Sequence, residues 1–296
     1  RDMFNLAARP FNYNLRVVLS DNVSTITKYN NPDKRLSDYY EGQRLGEIWG
    51  YVTDGFFTSE DQVRKSADQS LFNTTAQGIW RPGDIKFRDI NNDGVITRGD
   101  NPLTSRGDLV VIGNELPRYR FGINLGADYR NFFFSTFLQG VGKQDWYPSR
   151  GANTFWGQYN APYGHTPVSQ LGNIWTEENP NAYFPRYTGY IAFTAGGTLR
   201  EVQTRYMQNV AYLRMKNLQV GYNLPASIAS KMRMSRASIY FSGENLLTFS
   251  PMHKITRDID VENTGDSDQD LDNTNQGDGL NYPMLKSYSI GLTITF

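Results

Sequence analysis

The chain has 296 residues, and its 30 Lys and Arg side chains balance 30 Asp and Glu side chains. This neutral balance gives no basic face of the kind that nucleic-acid partners need, and the absence of cysteine excludes a disulfide scaffold and thiolate chemistry. Aromatic residues make up 14% of a chain that is also 20% charged, which favours an all-β protein with alternating apolar and polar positions.

Long runs of alternating apolar and polar residues predict the strands. The predicted strands are residues 11–19, 118–129, 132–142, 213–224, 237–249 and 288–296. Arg130-Asn131 is typical of a tight turn, and Pro225-Ala226-Ser227 reads as a short polar connector. These lengths match the roughly 9–11 residues that a transmembrane β-strand needs, with apolar side chains facing lipid and polar ones facing the lumen.

Two classes of all-β protein have strands of this kind, the transmembrane barrel and the soluble β-sandwich. The strands are longer than is usual in soluble sheets, and their apolar faces begin or end on Tyr and Phe, as in interfacial girdles. Very short connections alternate with very long ones at residues 143–206 and 250–285. This asymmetry is normal for outer-membrane barrels, so we expect an antiparallel transmembrane β-barrel with long extracellular loops.

The start of the chain, Arg1-Asp2-Met3-Phe4, has no signal-peptide pattern, and no run is apolar enough for a transmembrane helix. An exported chain of this kind is either processed or a fragment of a longer protein, and we favour the fragment.

Residues 89–100 match the pattern of a calcium-binding loop. Side-chain oxygens stand at its first, third, fifth and twelfth positions, Gly94 at the sixth, and a carbonyl at the seventh; Ile96 is expected to point inward. The predicted Ca²⁺ ligands are Asp89, Asn91, Asp93, Val95 (through its carbonyl) and Asp100. The flanking residues look extended, so this is not a true EF-hand, and the alternative is an Asn/Asp/Gly turn held by its own hydrogen bonds. A bound Ca²⁺ would stiffen an external loop.

Aromatic residues crowd the long segment after residue 143. They are Trp146, Tyr147, Phe155, Trp156, Tyr159 and Tyr163. Exposed aromatic rings stack on sugars or contact partner proteins, so Trp146, Tyr147, Trp156 and Tyr159 are candidate ligand-binding residues. The alternative, equally open, is that these rings form the core of an ordered loop.

Charged residues leave two further questions open. Arg118, Arg120, Arg214 and Lys216 on the polar strand faces could attract anionic solutes, although such residues are more often paired with carboxylates. The acids between Asp258 and Asp278 could hold a second cation, but a solvated loop is favoured. Neither histidine belongs to a zinc triad, and the sequence has no catalytic motif of the common hydrolase or nucleotide-binding types. An enzyme is therefore not expected.

Several short motifs in fixed order resemble the SusC/RagA family of TonB-dependent transporters. They include Gly83-Asp84-Ile85-Lys86-Phe87-Arg88-Asp89, Gly113-Asn114-Glu115-Leu116-Pro117, Phe137-Leu138-Gln139-Gly140, Gly243-Glu244-Asn245-Leu246-Leu247 and Tyr288-Ser289-Ile290-Gly291-Leu292. Each motif alone is weak. The ordered set runs from about residue 46 to the end.

The resemblance implies a 22-stranded barrel with an N-terminal plug, a type whose lumen is closed by that plug. It implies contact with outer-membrane lipid, energy supplied by TonB, and a SusD-like surface lipoprotein as lid. Residues 1–296 would be the C-terminal part of the barrel, and the plug and remaining strands would belong to the same or a second polypeptide. The function expected is import of oligosaccharides or peptides across a bacterial outer membrane. The alternative is a secreted, calcium-stabilised, β-rich module that binds glycans.

Overall fold

The computed structural model describes residues 2–6, 9–72, 79–194, 196–264 and 284–296. The strands, in chain order, are β1 (Asp2–Leu6), β2 (Arg9–Ser20), β3 (Glu47–Gly50), β4 (Thr53–Phe56), β5 (Ile85–Phe87), β6 (Val110–Asn114), β7 (Arg118–Tyr129), β8 (Phe132–Lys143), β9 (Asp145–Trp146), β10 (Gln208–Asn209), β11 (Tyr212–Asn223), β12 (Arg236–Glu244), β13 (Thr248–Phe249) and β14 (Ser287–Thr295). The α-helices are α1 (Glu60–Lys65), α2 (Asn153–Trp156) and α3 (Ala226–Lys231). Short 3-10 helices occupy Leu103–Ser105, Gly157–Tyr159, Val168–Gln170, Gly189–Phe193, Thr204–Tyr206, Pro251–Lys254 and Val261–Asn263.

One large antiparallel sheet dominates the fold. Its strands follow the order β1-β2-β7-β8-β11-β12-β14, and β13 pairs with β11. All six predicted strands lie in this sheet. The all-β, antiparallel class is therefore confirmed. Among the described strands, β1 and β14 are the two edges of the sheet, so closure into a barrel stays a prediction.

Two details of the strand prediction need correction. The connection between β11 and β12 is not only a short polar connector, because Pro225 caps helix α3 in it. The strand predicted to run to Phe249 is interrupted after Glu244, where Asn245 adopts a left-handed φ of 51° that breaks the pleat. The facing strand β11 has a bulge between Met215 and Asn217 at the same level.

The register of the large sheet separates a polar face from an apolar face. Arg16 faces Asn124, and Ser20 faces Arg120, whereas Leu15 faces Leu125 on the other side. The apolar face is open to the surroundings: Val17 is 59% exposed and Ile290 is 80% exposed. Further exposed residues of this face are Leu19, Val220, Ile239, Phe241, Leu292 and Ile294.

The connections at the two ends of the sheet differ in length. At one end, the Arg130-Asn131 turn joins β7 to β8, as predicted, and the backbone N–H of Asn223 donates to the carbonyl of Asn131. Long segments leave the other end, and we call residues 21–117, 144–211 and 250–264 together the cap. The described residues of the cap form three small two-stranded sheets, β3 with β6, β4 with β5, and β9 with β10.

The cap has its own hydrophobic core, to which all three segments contribute. Phe87 and Ile96 come from the first segment, Trp156 and Tyr206 from the second, and Met252 from the third. These side chains are at most 2% exposed. The described residues of 21–117 and of the two segments predicted as long loops therefore form one packed unit, because their apolar side chains are buried against each other.

Ion pairs also join the first two cap segments. Arg186 donates to both carboxylate oxygens of buried Asp84, at 2.8 and 2.9 Å. Arg98 pairs with Glu201, whose side chain is 9% exposed. Such partly buried pairs fix the position of one segment against the other.

Candidate functional site

The calcium-type loop at residues 89–100 is built around Asp89. The Asp89 carboxylate accepts hydrogen bonds from the backbone N–H groups of Asn92 and Gly94, at 2.7 and 2.8 Å. Gly94 has a φ of +85°, a conformation that favours glycine and makes the sharp turn that the sequence predicts. The first half of the loop therefore wraps around one carboxylate.

The next two predicted ligands continue the same pattern. Asn91 Oδ1 accepts from the N–H of Asp93 at 3.1 Å, and Asp93 Oδ1 accepts from the N–H of Val95 at 2.8 Å. Asp100 lies at the far end of the loop, where its carboxylate accepts from the Ser105 hydroxyl at 2.8 Å. Within the described ranges, no group of three or more His, Cys, Asp or Glu side chains is arranged to hold a metal ion. The structure thus brings Asn91, Asp93 and Val95 together with Asp89, but not Asp100.

Sequence reasoning missed Asp108, which holds the two halves of the loop together. Its fully buried carboxylate accepts from the backbone N–H groups of Ile90 and Thr97, both at 2.7 Å. Ile96 is also fully buried, as predicted. Asp108 gives no signal in the sequence, because it lies outside the twelve-residue pattern and meets the loop only through folding.

The candidate ligand-binding aromatics mostly lie inside the cap. Trp146 is 2% exposed, and Trp156 and Tyr159 are fully buried. The Trp156 ring nitrogen donates to the Ser149 carbonyl at 3.0 Å, and the Tyr159 hydroxyl donates to the Pro185 carbonyl at 2.6 Å. Burial raises the pKa of Tyr159.

These contacts correct the ligand-binding prediction for the three residues, because rings without exposed surface cannot stack on a ligand. They form the loop core, which is the alternative that the sequence left open. Tyr147 packs against the same core and donates to the Leu199 and Glu201 carbonyls, at 3.1 and 2.9 Å. Tyr163, in contrast, is 93% exposed.

A buried network of charges ties the third cap segment to β11. Arg214 contacts Asp260 at 2.5 Å and Glu262 at 3.2 Å, and Lys216 contacts Glu262 at 2.6 Å. The side chains of Arg214 and Asp260 are 4% and 5% exposed. Burial raises the pKa of Asp260, but hydrogen bonds from Arg214 and from the backbone of Glu262 and Met284 outweigh it and hold the pKa below its ordinary value.

The basic residues of the polar face thus divide into two kinds. Arg214 and Lys216 are paired with carboxylates, as sequence reasoning favoured, and Arg118 is paired with Asp21. Arg120 forms no ion pair with a described carboxylate. Of the acidic stretch that could hold a second cation, residues 266–278 lie outside the described residues.

A cavity of about 900 Å³ lies where the polar face of the sheet meets the cap. Its charged and polar lining includes Arg16, Glu115, Arg120, Gln139, Tyr212 and Glu262. A second, smaller cavity of about 460 Å³ continues along the same face, and both are lined by Asn124 and Phe137. The sequence could not reveal these cavities, because they depend on which strands pair and on where the cap lies.

No helix in the described part of the chain is long and apolar enough to cross a membrane.

Comparison with known proteins identifies relatives of one kind. Two TonB-dependent receptors of Formosa agariphila match the chain: P26 is 30% identical over 229 residues, or 75% of the chain, and P3 is 28% identical over 259 residues, or 86% of the chain. The matched regions are 21% and 22% of the length of these receptors. No family model matches the chain.

The fold is similar to part of a solved transport complex. A chain of the RagAB peptide importer in its "open-open" state superimposes with a TM-score of 0.57 and 17% identity, covering 99% of this chain and 27% of that chain. At this identity the likeness concerns the fold alone.

Proposed function

Because the chain belongs to the SusC/RagA family of TonB-dependent transporters, we propose that it forms part of the membrane-spanning wall and external cap of an outer-membrane importer. The large sheet is one sector of a β-barrel in this proposal. Its apolar face contacts outer-membrane lipid and its polar face lines the lumen. The chain spans about a fifth of the length of its relatives, so the remaining wall and a plug belong to the rest of the assembly.

The observation that carries this proposal is the exposed apolar face of the sheet. Soluble proteins rarely leave a contiguous apolar face of several strands in water, and a glycan-binding module would need to cover it. A barrel in lipid needs that face outward and a polar face inward. The register of β2, β7, β8, β11, β12 and β14 places most of the apolar side chains on one face and most of the polar side chains on the other along the described strands.

Substitution of neighbouring residues on β14 tests the membrane assignment. Leu292 is an exposed residue of the apolar face, and Thr293 is the next residue, on the polar face. In the full-length protein, Leu292→Arg should reduce the amount of heat-modifiable, assembled barrel in outer membranes, because an arginine facing mid-membrane lipid costs about 2–4 kcal/mol. Thr293→Arg is the matched control and should assemble normally. Equal behaviour of the two variants would contradict the assignment.

The transported ligands are proposed to be oligosaccharides or peptides, with TonB as the source of energy and a SusD-like surface lipoprotein as partner at the cap. The matching receptors are described as TonB-dependent, and the similar structure is a peptide importer. Uptake of labelled peptide and oligosaccharide mixtures by cells with and without TonB tests this. Accumulation that requires both the receptor and TonB is expected, and TonB-independent accumulation would refute it. No catalytic role is proposed.

Ca²⁺ is proposed as a structural ion of the 89–100 loop. The donor set fits a hard cation, because Asp89, Asn91 and Asp93 supply side-chain oxygens and Val95 supplies a carbonyl. The bound ion would neutralise the loop carboxylates and stiffen this part of the cap.

Removal of one ligand tests the ion. In the purified receptor, Ca²⁺ should slow proteolysis within residues 79–110, and Asp93→Ala should abolish this effect. Asp33→Ala, which removes an exposed acid elsewhere in the cap, is the control. Proteolysis that is insensitive to Ca²⁺ in the unsubstituted receptor would refute the site.

A further inference from the structure

In the part of the chain that the structure describes, two arginines of the polar face lack the ion pairs that their neighbours have. Arg16 on β2 and Arg120 on β7 both line the 900 Å³ cavity between the sheet and the cap. Neither pairs with a carboxylate of the described part of the chain. Among the described residues their charges thus stay unpaired, whereas Arg118 is held by Asp21, and Arg214 is held by Asp260 and Glu262.

The strand register places Arg16 and Arg120 at the two ends of a short stretch of the polar face. Arg120 faces Ser20, four positions along β2 from Arg16, so the Cα atoms of Arg16 and Arg120 are about 14 Å apart at the usual rise per residue and strand spacing. Between them, Val18 faces Gly122. Gly122 brings no side chain into the gap, and a Cβ atom there would lie 3.1 Å from the ring of Phe137. The Phe137 ring therefore borders the space between Arg16 and Arg120.

The acidic residues that line the cavity do not neutralise both Arg16 and Arg120. Glu262 is already engaged by Arg214 and Lys216. Glu115 lines the cavity and is itself engaged in an interaction. Among the described lining residues, the two arginines thus face one further carboxylate, which leaves these side chains with a positive balance.

We propose that this cavity binds an anionic group, a carboxylate or a sulfate, of a ligand passing from the cap into the lumen. Guanidinium groups donate paired hydrogen bonds that match the oxygens of such anions. Phe137 offers a flat apolar surface to the neighbouring part of the ligand. The inference rests on the proposed import function, and it narrows the ligand class to acidic oligosaccharides or acidic peptides.

A single cysteine between the two arginines reports the charge of the cavity. The chain contains no cysteine, so Val18→Cys can be introduced into the full-length receptor in outer membranes, with the unsubstituted receptor as background. The measurement compares two rates at which this cysteine is modified. One reagent is the anionic sulfonatoethyl methanethiosulfonate, and the other is the cationic trimethylammonioethyl methanethiosulfonate. Ser242→Cys, on the polar face of β12 outside the cavity, is the reference thiol.

The anionic reagent is expected to be favoured at least about tenfold over the reference, since charged clefts concentrate counter-ions to that degree. Arg16→Gln combined with Arg120→Gln should remove the preference. Arg236→Gln, which removes an exposed arginine of β12 outside the cavity, should leave it unchanged. A missing preference, a preference that survives the double substitution, or failure of both reagents to reach the thiol would each overturn the proposal.

Protection experiments then identify the source of the anion. Inorganic sulfate should slow modification of Val18→Cys more than chloride at equal ionic strength, and equal slowing would overturn the anion site. Trigalacturonate is compared with its neutral methyl ester, and a Glu-rich hexapeptide with its Gln counterpart. Stronger protection by the charged member of one pair assigns the site to that class; equal protection within both pairs overturns the proposal. A receptor without TonB-dependent uptake that still shows the charge preference would refute only the import function.

Discussion

Loss of one buried arginine should release the third cap segment from the wall. Arg214→Met keeps most of the side-chain volume and removes the cation that contacts Asp260 at 2.5 Å and Glu262 at 3.2 Å. Asp260, at 5% exposure, would remain as a buried carboxylate without a cationic partner. Glu262 keeps Lys216 as its partner, so the unpaired Asp260 carboxylate accounts for most of the lost stability.

The magnitude follows from burial. The gross attraction of two unit charges at 2.5 Å is about 7 kcal/mol at an effective dielectric constant of about 20. Desolvation offsets much of this attraction, but removal of one partner from a buried pair destabilises by about 3–5 kcal/mol. At tenfold for every 1.4 kcal/mol, local opening of residues 251–264 should become at least about a hundredfold more frequent.

Hydrogen exchange of the full-length receptor measures this opening segment by segment. Exchange in residues 251–264 should accelerate in Arg214→Met and remain unchanged in Arg236→Met, a control on β12. Arg214→Met combined with Asp260→Leu should recover part of the protection, because no unpaired buried carboxylate is left. Unchanged protection in the single variant, or no recovery in the double variant, would refute the electrostatic account.

The same structure makes three further predictions. Trp156→Ala should destabilise the cap by about 3–5 kcal/mol and admit protease, whereas Tyr163→Ala, at a 93% exposed position, should not. Gly221→Ala places a Cβ atom 2.2 Å from the Phe133 ring and should lower the unfolding midpoint, at a cost of about 1–3 kcal/mol; Phe133→Leu in the same protein should restore part of it. The lowered pKa of Asp260 means that its stabilisation is fully present above about pH 4 and is lost as the pH falls through that lowered pKa. Exchange in the third cap segment should therefore stay slow at about pH 5 and accelerate only below about pH 4; acceleration already at about pH 5 would contradict this.

The sequence predicts much of the geometry of the candidate calcium loop, because the side chains of Asp89, Asn91 and Asp93 bond to backbone groups close to them in the chain. Their backbone partners are at most five residues away. The sequence does not predict the hydrogen bonds that the Asp108 carboxylate accepts from the loop, nor the hydrogen bond from the Ser105 hydroxyl to Asp100. For the aromatic segment, the sequence could not distinguish a binding surface from a core, because Trp156 and Tyr163 belong to the same local pattern yet differ in exposure from 0% to 93%.

The sequence by itself determined the long strands of the large sheet and their two faces, because side chains alternate along an extended chain whatever its partners are. Residues 118–129 are strand β7 as predicted, and their alternation already separates Arg120 from Phe121. Only the tertiary structure decided which basic residues are neutralised. Arg120 and Arg214 look alike in the sequence, but the third cap segment brings Asp260 to Arg214 and no described carboxylate to Arg120. Ion pairing depends on distances across chain separations of tens of residues, and those distances exist only once the strands have paired and the cap has packed.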